Sequence, residues 1–418
     1  MLDIKFIREN ADLVKAAAKK KRLDFDLDKL LTLDEKRLKV MAEVEEGRRQ
    51  QNAANDGVAS AKDPVAREKL IAQMKVVKAG LEASEASLKT LLPEWQALML
   101  QVPNIPDISV PEGETDAQNV ELKTVGEAPK FDFAVKDHVE LMKNLDWADF
   151  ERGTKVSGFR GYILKNGGAE LSFALWQLAL QQLIKAGFTP MIVPSLIKRE
   201  SLFGTGYLPQ GAEDLYKTQD EEYLAGTAEA ATMGHLMDEV VSREDLPRKI
   251  VAFSPCFRRE AGSHGKDTKG LFRVHEFFKV EQVVLCEASH QASVDWHEQL
   301  LANAEGIMQA LSLHYRVVIN CAGDLGLGQV KKYDIEVWLP SEGKFRETHS
   351  ISYFHDFQTR RLNIRYRDEA GKMNFAHSLN GTAAATPRLV QAIVENYQQA
   401  DGTVVLPEIL RPLLSTIK

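Results

Sequence analysis

Cysteine is scarce in this chain of 418 residues: Cys256, Cys286 and Cys321 stand far apart, with no CxxC pair. That spacing excludes a disulfide framework and a Cys-based zinc site, and it points to a reducing, cytoplasmic setting. Long apolar runs are missing too. No stretch of about 18 apolar residues offers a membrane span, so no membrane partner is expected. The opening MLDIKFIREN is charged throughout and lacks the apolar centre of a secretory leader. The ten histidines include no HExxH, so no structural metal is indicated. A strong basic charge is also absent. The net charge is −7, which at first argues against a nucleic-acid partner. Its distribution softens that argument, because residues 1–110 are close to neutral and the rest carries the acidity. The clearest basic run, Lys19 to Arg22, reads on charge alone as a solvated helical face.

What is present suffices for two domains, with 44% hydrophobic residues. Residues 1–22 read as a short helix. Between about 27 and 100 the composition shifts to Ala, Glu, Lys, Leu and Gln. There Leu70, Met74, Val77, Leu81, Ser84, Leu88, Leu91, Trp95 and Leu98 alternate at spacings of four and three, a heptad seam interrupted by Ser84. A weaker seam runs through Leu30, Leu33, Val40 and Val44. The turn chemistry of Asn55–Pro64 separates the two. An antiparallel two-helix hairpin follows, with Pro93 expected to kink or restart its second helix. The Pro-rich stretch Val102–Gly113 is a linker, so the domains are expected at 1–105 and 106–418.

Beyond the linker, strands and helices alternate. Leu171–Ala186 is apolar nearly all round and reads as a buried helix capped by Gly187; Phe188–Pro194 reads as a strand. The most informative stretch is Cys256–Glu281, CFRREAGSHGKDTKGLFRVHEFFKVE, read as two strands joined by a Gly-rich, charged loop. Arg273, His275, Phe277, Lys279 and Glu281 share one parity, and Val274, Phe278 and Val280 share the other. One wet face would then carry charge of both signs and an aromatic plate above an apolar underside. Arg258 and Glu260 share a parity on the first strand. Arginines clamp phosphates, Phe277 can stack on a base, and Glu260 can accept from an exocyclic amine. A surface hairpin of alternating charge would look the same. Further on, Thr386 is expected to cap a helix with Pro387 at its first position. Arg388 then lies in the first turn, where the guanidinium and the helix N-terminus both favour an anion. GDLGLGQ (Gly323–Gln329) lacks the GxGxxG spacing and reads as a tight loop.

These segments together resemble the class II aminoacyl-tRNA synthetases. The helix and strand ending at Pro194, the FRRE hairpin and the strand–helix carrying Arg388 stand where that class has its motifs 1, 2 and 3. The arm, the VPNIPDISVPEG linker and KFDFAVKDH (Lys130–His138) are similar to the bacterial-type seryl-tRNA synthetases, over essentially the whole chain. The resemblance implies an α+β fold, with six or seven antiparallel strands flanked by helices and a coiled-coil arm. It also implies a homodimer built on motif 1 and a two-step reaction. Serine and ATP give seryl-adenylate and diphosphate, and serine then passes to tRNA(Ser), and to tRNA(Sec) where one exists.

By position, the resemblance implies that Arg258 contacts the α-phosphate and the serine carboxylate. Glu260 would hold the adenine amine, Phe277 would stack on the ring, and the Val274 backbone would lie close by. Arg273 and Arg388 would grip the β- and γ-phosphates, so Arg258 and Arg388 are the expected catalytic groups. Arg259, Thr348 and His349 fall within the ATP-binding segments, and Glu347 and Ser350 match positions that bind ATP with Mg2+. The TxE motif Thr227-Ala228-Glu229, with Glu281, Asn380 and Thr382, would surround serine. Arg48, Arg49, Lys62, Lys69, Lys75 and Lys78 would reach the long variable arm of tRNA, and His264 and Lys266 its acceptor stem. Two segments depart from the pattern. ETHSISY places His349 where a small residue is usual, and TAAATPR replaces the glycines of motif 3, which should stiffen the approach to Arg388. The alternative is a ligase of the same fold that loads a carrier protein; the arm speaks against it.

Overall fold

The computed structural model describes residues 1–263 and 265–415, which divide into two compact units. One unit comprises Asp3–Lys19 and Leu23–Pro103. The other comprises Met1–Leu2, Lys20–Arg22 and the chain from Asn104 onward.

In the arm-bearing unit, two helices replace the single one expected over 1–22. They are α1 (Ile4–Glu9) and α2 (Ala11–Lys20), separated at Asn10, whose φ of −128° leaves the helical range. The hairpin is formed by α3 (Leu27–Ser60) and α4 (Pro64–Met99), 34 and 36 residues long, or about 50 Å each at 1.5 Å per residue. The heptad seam is real. Leu81 and Leu98 are buried and the other seam positions are half-buried, whereas most of the residues between them are exposed. Ser84, the break in the seam, donates to Glu43 across the hairpin at 3.3 Å. Gly47 lies against Leu81, where an added Cβ would sit 3.3 Å from the leucine side chain. Near the base, the fully buried Asp34 accepts from the Trp95 indole N–H at 3.0 Å and pairs with Arg37 at 2.7 Å and Arg8 at 3.5 Å.

The turn is shorter than expected, because α3 carries on through Asn55–Ser60. The chain reverses in Ala61–Asp63, where the Asp63 side chain accepts from the Val65 and Ala66 N–H groups and Pro64 opens α4. Helix α4 also runs through Pro93 rather than stopping there.

The other unit is built on a sheet of eight strands among the described residues. These are β1 (Val120–Val125), β2 (Thr189–Ile192), β3 (Arg248–Phe257), β4 (Glu276–Cys286), β5 (Tyr315–Ile319), β6 (Lys331–Leu339), β7 (Lys344–Tyr353) and β8 (His377–Thr386). Their order is β1-β5-β6-β7-β8-β4-β3-β2, antiparallel except where β2 runs parallel to β3. The sheet is thus one strand larger than the expected maximum and has one parallel edge pair.

Three helices, α5 (Gly167–Lys185), α6 (His290–Ala310) and α7 (Arg388–Asn396), share one apolar core with the sheet. Strand parity decides which residues join it. On β4, Val280, Val284 and Cys286 enter that core, whereas Val283 and Leu285 enter a separate cluster with Met233 and Tyr366. Phe277, Lys279 and Glu281 share the parity of this second set, which frees them for a cavity.

Candidate active site

A cavity opens over that second face. Two β-bulges determine which side chains reach it. Along β7, Ile335 of β6 is paired with His349 but Glu336 with Glu347, so Thr348 is the extra residue. Glu347 and Ser350, three apart in sequence, therefore both line the cavity, which a regular period of two forbids. Along β8 the extra residue is Ala383, between Thr382 and Ala384. Asn380 and Thr382 line the cavity on one side of this bulge, and Ala385 to Arg388 on the other.

Positive charge gathers toward one end. Arg258 donates from Nε to the Gly226 carbonyl at 3.3 Å and lies over the Phe277 ring at 5.3 Å. Arg273 is pinned by Glu260 at 2.7 Å and Asp267 at 3.2 Å. Arg388 donates to the Phe272 and Glu347 carbonyls at 3.1 and 3.0 Å, and its guanidinium rests 4.3 Å from the Phe272 ring centre. Burial pulls its pKa below the ordinary arginine value, against the raising effect of Glu347. Glu347 shows the converse balance. Desolvation works against its charge, but Arg388, Lys332 and Arg258 outweigh it and hold the carboxyl below its usual pKa. The group is ionised at neutral pH.

Two buried carboxylates occupy the other end. Glu229 accepts from the Tyr207 hydroxyl at 2.8 Å and from the Gln358 amide, and burial raises its pKa. Glu281 pairs with Lys279 at 2.5 Å and accepts from the Thr382 hydroxyl at 3.3 Å. Thr227 caps the short helix Ala228–Gly234, its Oγ1 accepting from the Glu229 N–H at 3.5 Å. This end is lined with hydrogen-bonding groups and closed to bulk water, with Thr227, Glu229, Glu281 and Thr382 all under a tenth exposed. Two carboxylates beside a hydroxyl are the chemistry that can hold an ammonium and a hydroxyl group.

Of the residues singled out from the sequence, Thr227, Glu229, Glu281, Asn380, Thr382, Arg258, Glu260, Arg273, Val274, Phe277, Glu347, Thr348, Ser350 and Arg388 line this one cavity. Others stand apart. Ala228 is buried in its helix, and Arg259 is exposed, with its N–H on the Asp214 carbonyl. Strand alternation places His275 on the wet face. However, β3 ends at Phe257 and β4 begins at Glu276, so the alternation does not reach it. Its ring bonds to the Arg258 carbonyl and points toward Phe159 and Tyr216. The face is also drier than expected, since Lys279 and Glu281 are buried. His264 lies outside the described residues, and Lys266 is exposed.

His349 follows Thr348 and, beyond the bulge, faces the core. It is 1% exposed, its Nε2 at 3.0 Å from the Ala383 carbonyl and its Nδ1 at 2.8 Å from the Thr348 hydroxyl. Burial pushes its pKa down to about 4. Between about pH 6.5 and 4 the unfolded chain binds a proton that this folded ring refuses. Stability therefore falls as pH falls through that window. His349→Gln should remove about one proton from the slope of unfolding free energy against pH there, roughly 1.4 kcal/mol per pH unit. Denaturant titrations of variant and parent between pH 4.5 and 6 test this; parallel slopes would contradict it.

Sequence reasoning missed several walls. Thr205–Tyr207 and Phe272 line the cavity without any periodic signal. Gly326–Gln329, which the sequence reads only as part of a tight loop, lines it as well. Nor is the Lys19–Arg22 run a plain solvated face, because Lys21 is 3% exposed.

Residues 215–397 match the family "tRNA synthetase class II core domain (G, H, P, S and T)", and residues 1–106 match the "Seryl-tRNA synthetase N-terminal domain". The antiparallel sheet with its arginine-rich cavity and the first match define a class II tRNA synthetase. Relatives narrow this. A serine–tRNA ligase of Deinococcus radiodurans is 48% identical over 99% of this chain and 97% of its own length. Another, from Caldicellulosiruptor saccharolyticus, is 43% identical over 100% and 99%. A solved seryl-tRNA synthetase from Pyrococcus horikoshii, complexed with ATP, superposes with a TM-score of 0.92 at 39% identity, covering 99% of this chain and 98% of that one. The chain belongs to the seryl-tRNA synthetase family.

Proposed function

We propose that this protein is a serine–tRNA ligase that makes seryl-adenylate from serine and ATP and then transfers serine to tRNA(Ser). The observation that carries this reading is one cavity with arginines at one end and a buried Glu229–Glu281–Thr382 set at the other. The serine carboxylate is already a nucleophile, so no general base is required. It attacks the α-phosphorus of ATP in line, and diphosphate leaves. Arg258 bridges the carboxylate and the α-phosphate, while Arg273 and Arg388 take the outer phosphates. Phe277 stacks on the adenine, and Glu260 accepts from its amine. Glu229 and Glu281 hold the serine ammonium and hydroxyl, with Asn380 and Thr382 completing the pocket.

Mg2+ fits Glu347 and Ser350. The carboxylate is ionised, the hydroxyl shares its face through the bulge, and no cluster of three or more acidic, His or Cys ligands exists among the described residues. An ion held by few protein groups and by substrate phosphates is the usual arrangement for Mg2+. It would neutralise charge on the phosphates.

The same reading gives residues 1–105 to tRNA and 106–418 to catalysis. Lys62, Lys69 and Lys75 are exposed on the arm, while Arg48 and Arg49 are engaged only in exposed ion pairs, which are weak enough to exchange for phosphate. A homodimer is supported by Phe173 and Ile184 on α5 and Ile192 on β2, large apolar side chains that are 59%, 46% and 88% exposed. A cytoplasmic setting is supported by three unpaired, buried cysteines, and no described helix is long and apolar enough to cross a membrane. ATP–diphosphate exchange with serine, threonine, alanine and glycine tests the activity. Serine should exceed alanine and glycine at least about 10²-fold, since a site that hydrogen-bonds a hydroxyl rejects analogues lacking it, and should exceed threonine at least about tenfold, since the enclosed pocket has to take an extra methyl. Equal exchange with alanine would defeat the assignment.

A further inference from the structure

Lys21 is a buried lysine with no acidic partner at its ammonium among the described residues. Its Nζ donates to three backbone carbonyls, Gly326 and Leu327 at 3.0 Å and Gln329 at 2.6 Å. Three acceptors match the three N–H bonds of an ammonium group. Asn104 completes the set, its N–H on the Leu327 carbonyl at 2.9 Å and its side-chain amide on that of Gly328 at 3.1 Å. Every carbonyl of this four-residue turn is thus held from outside by two residues. The neighbours of Lys21 make exposed ion pairs with the linker, Lys20 with Glu112 at 3.3 Å and Arg22 with Glu114 at 2.7 Å. Burial lowers the Lys21 pKa to about 7, since desolvation works against the ammonium charge.

The turn is a wall of the cavity, and its place is the amino-acid end. The Gln329 amide donates to Ser352 at 2.8 Å, and Ser352 pairs across the sheet with Asn380. Gly328 lies so close to the Phe357 ring that an added Cβ would come within 2.5 Å. The next residue, Gln358, holds Glu229. We propose that Lys21 is a positioning residue for serine: through three carbonyls it holds the Gly326–Gln329 wall in the shape that fits the amino acid. This rests on the serine pocket proposed above.

Lys21→Met keeps an unbranched side chain one atom shorter and removes the ammonium bond from all three carbonyls, leaving that of Gln329 with no donor among the described residues. In ATP–diphosphate exchange its KM for serine should rise about tenfold or more. The KM for ATP should stay within about twofold, and kcat at saturating serine within about threefold. Lys21→Gln, which keeps an N–H donor, should fall between. A strut without a role at the pocket would lower the melting temperature and leave both KM values alone, or move them together; either result overturns the proposal. Failure of both variants to fold overturns it too, by making Lys21 purely structural. Thr382→Val, measured alongside, separates the two readings. If it raises the serine KM and Lys21→Met does not, only the present inference falls; if neither does, the pocket assignment falls and takes this one with it.

Discussion

Arg258→Ala should abolish adenylate formation, slowing serine-dependent ATP–diphosphate exchange by at least about 10³-fold while the fold survives. The side chain is held by two contacts, the Gly226 carbonyl on Nε and the Phe277 ring beneath the guanidinium. Among the described residues its two Nη groups have no partner, so they are available to the substrate. An arginine about 4 Å from a phosphate charge contributes roughly 4 kcal/mol at an effective dielectric near 20. That is about three powers of ten in rate if the charge develops in the transition state. The fold should tolerate the loss because Arg258 is neither in the apolar core nor part of an ion pair. Arg258→Lys should recover little, since a lysine cannot bridge carboxylate and phosphate with a planar fork. Exchange at near-parental rates in the alanine variant would remove Arg258 from the mechanism.

Shortening the arm should produce the opposite separation, with tRNA charging lost and serine activation kept. The hairpin pairs Glu43 with Ser84, Gly47 with Leu81 and Arg48 with Glu85. Val40 and Leu88 therefore face each other. Removing 41–87 and closing the gap with a short Gly-rich turn spares the Asp34–Arg37–Trp95 cluster near the base. Exchange should stay within about twofold of the parent. The kcat/KM for charging tRNA(Ser) should drop about 10³-fold, an amount within what several phosphate contacts supply. If charging persists at parental efficiency, the arm is not the tRNA grip.

The sequence made the arm and much of the site legible, because both rest on simple periods. The four–three spacing from Leu70 to Leu98 is the seam observed, and the odd-numbered face of Phe277, Lys279 and Glu281 is the one that meets the cavity. What stayed hidden depends on backbone irregularity. No residue pattern announces the bulges at Thr348 and Ala383, yet the first brings Glu347 and Ser350 to one side and turns His349 away. His275 escapes the alternation because it lies one residue outside the stretch of β4 that pairs with β3. Thr386 is expected from the sequence to cap the helix, but its hydroxyl bonds to the Phe278 carbonyl and the Trp176 indole, so Pro387 takes the N-cap position. The Gly326–Gln329 wall acts through main-chain placement, held by a lysine about 300 positions away, which no local reading could supply.

The central claim is that serine and ATP react within this one cavity before any tRNA is needed. A rapid-quench experiment with α-labelled ATP, serine and Mg2+ in the absence of tRNA tests it most directly. Close to one equivalent of bound seryl-adenylate per active site should form, and adding tRNA(Ser) should discharge it to AMP. No adenylate without tRNA, or equal adenylate with threonine in place of serine, would contradict the account.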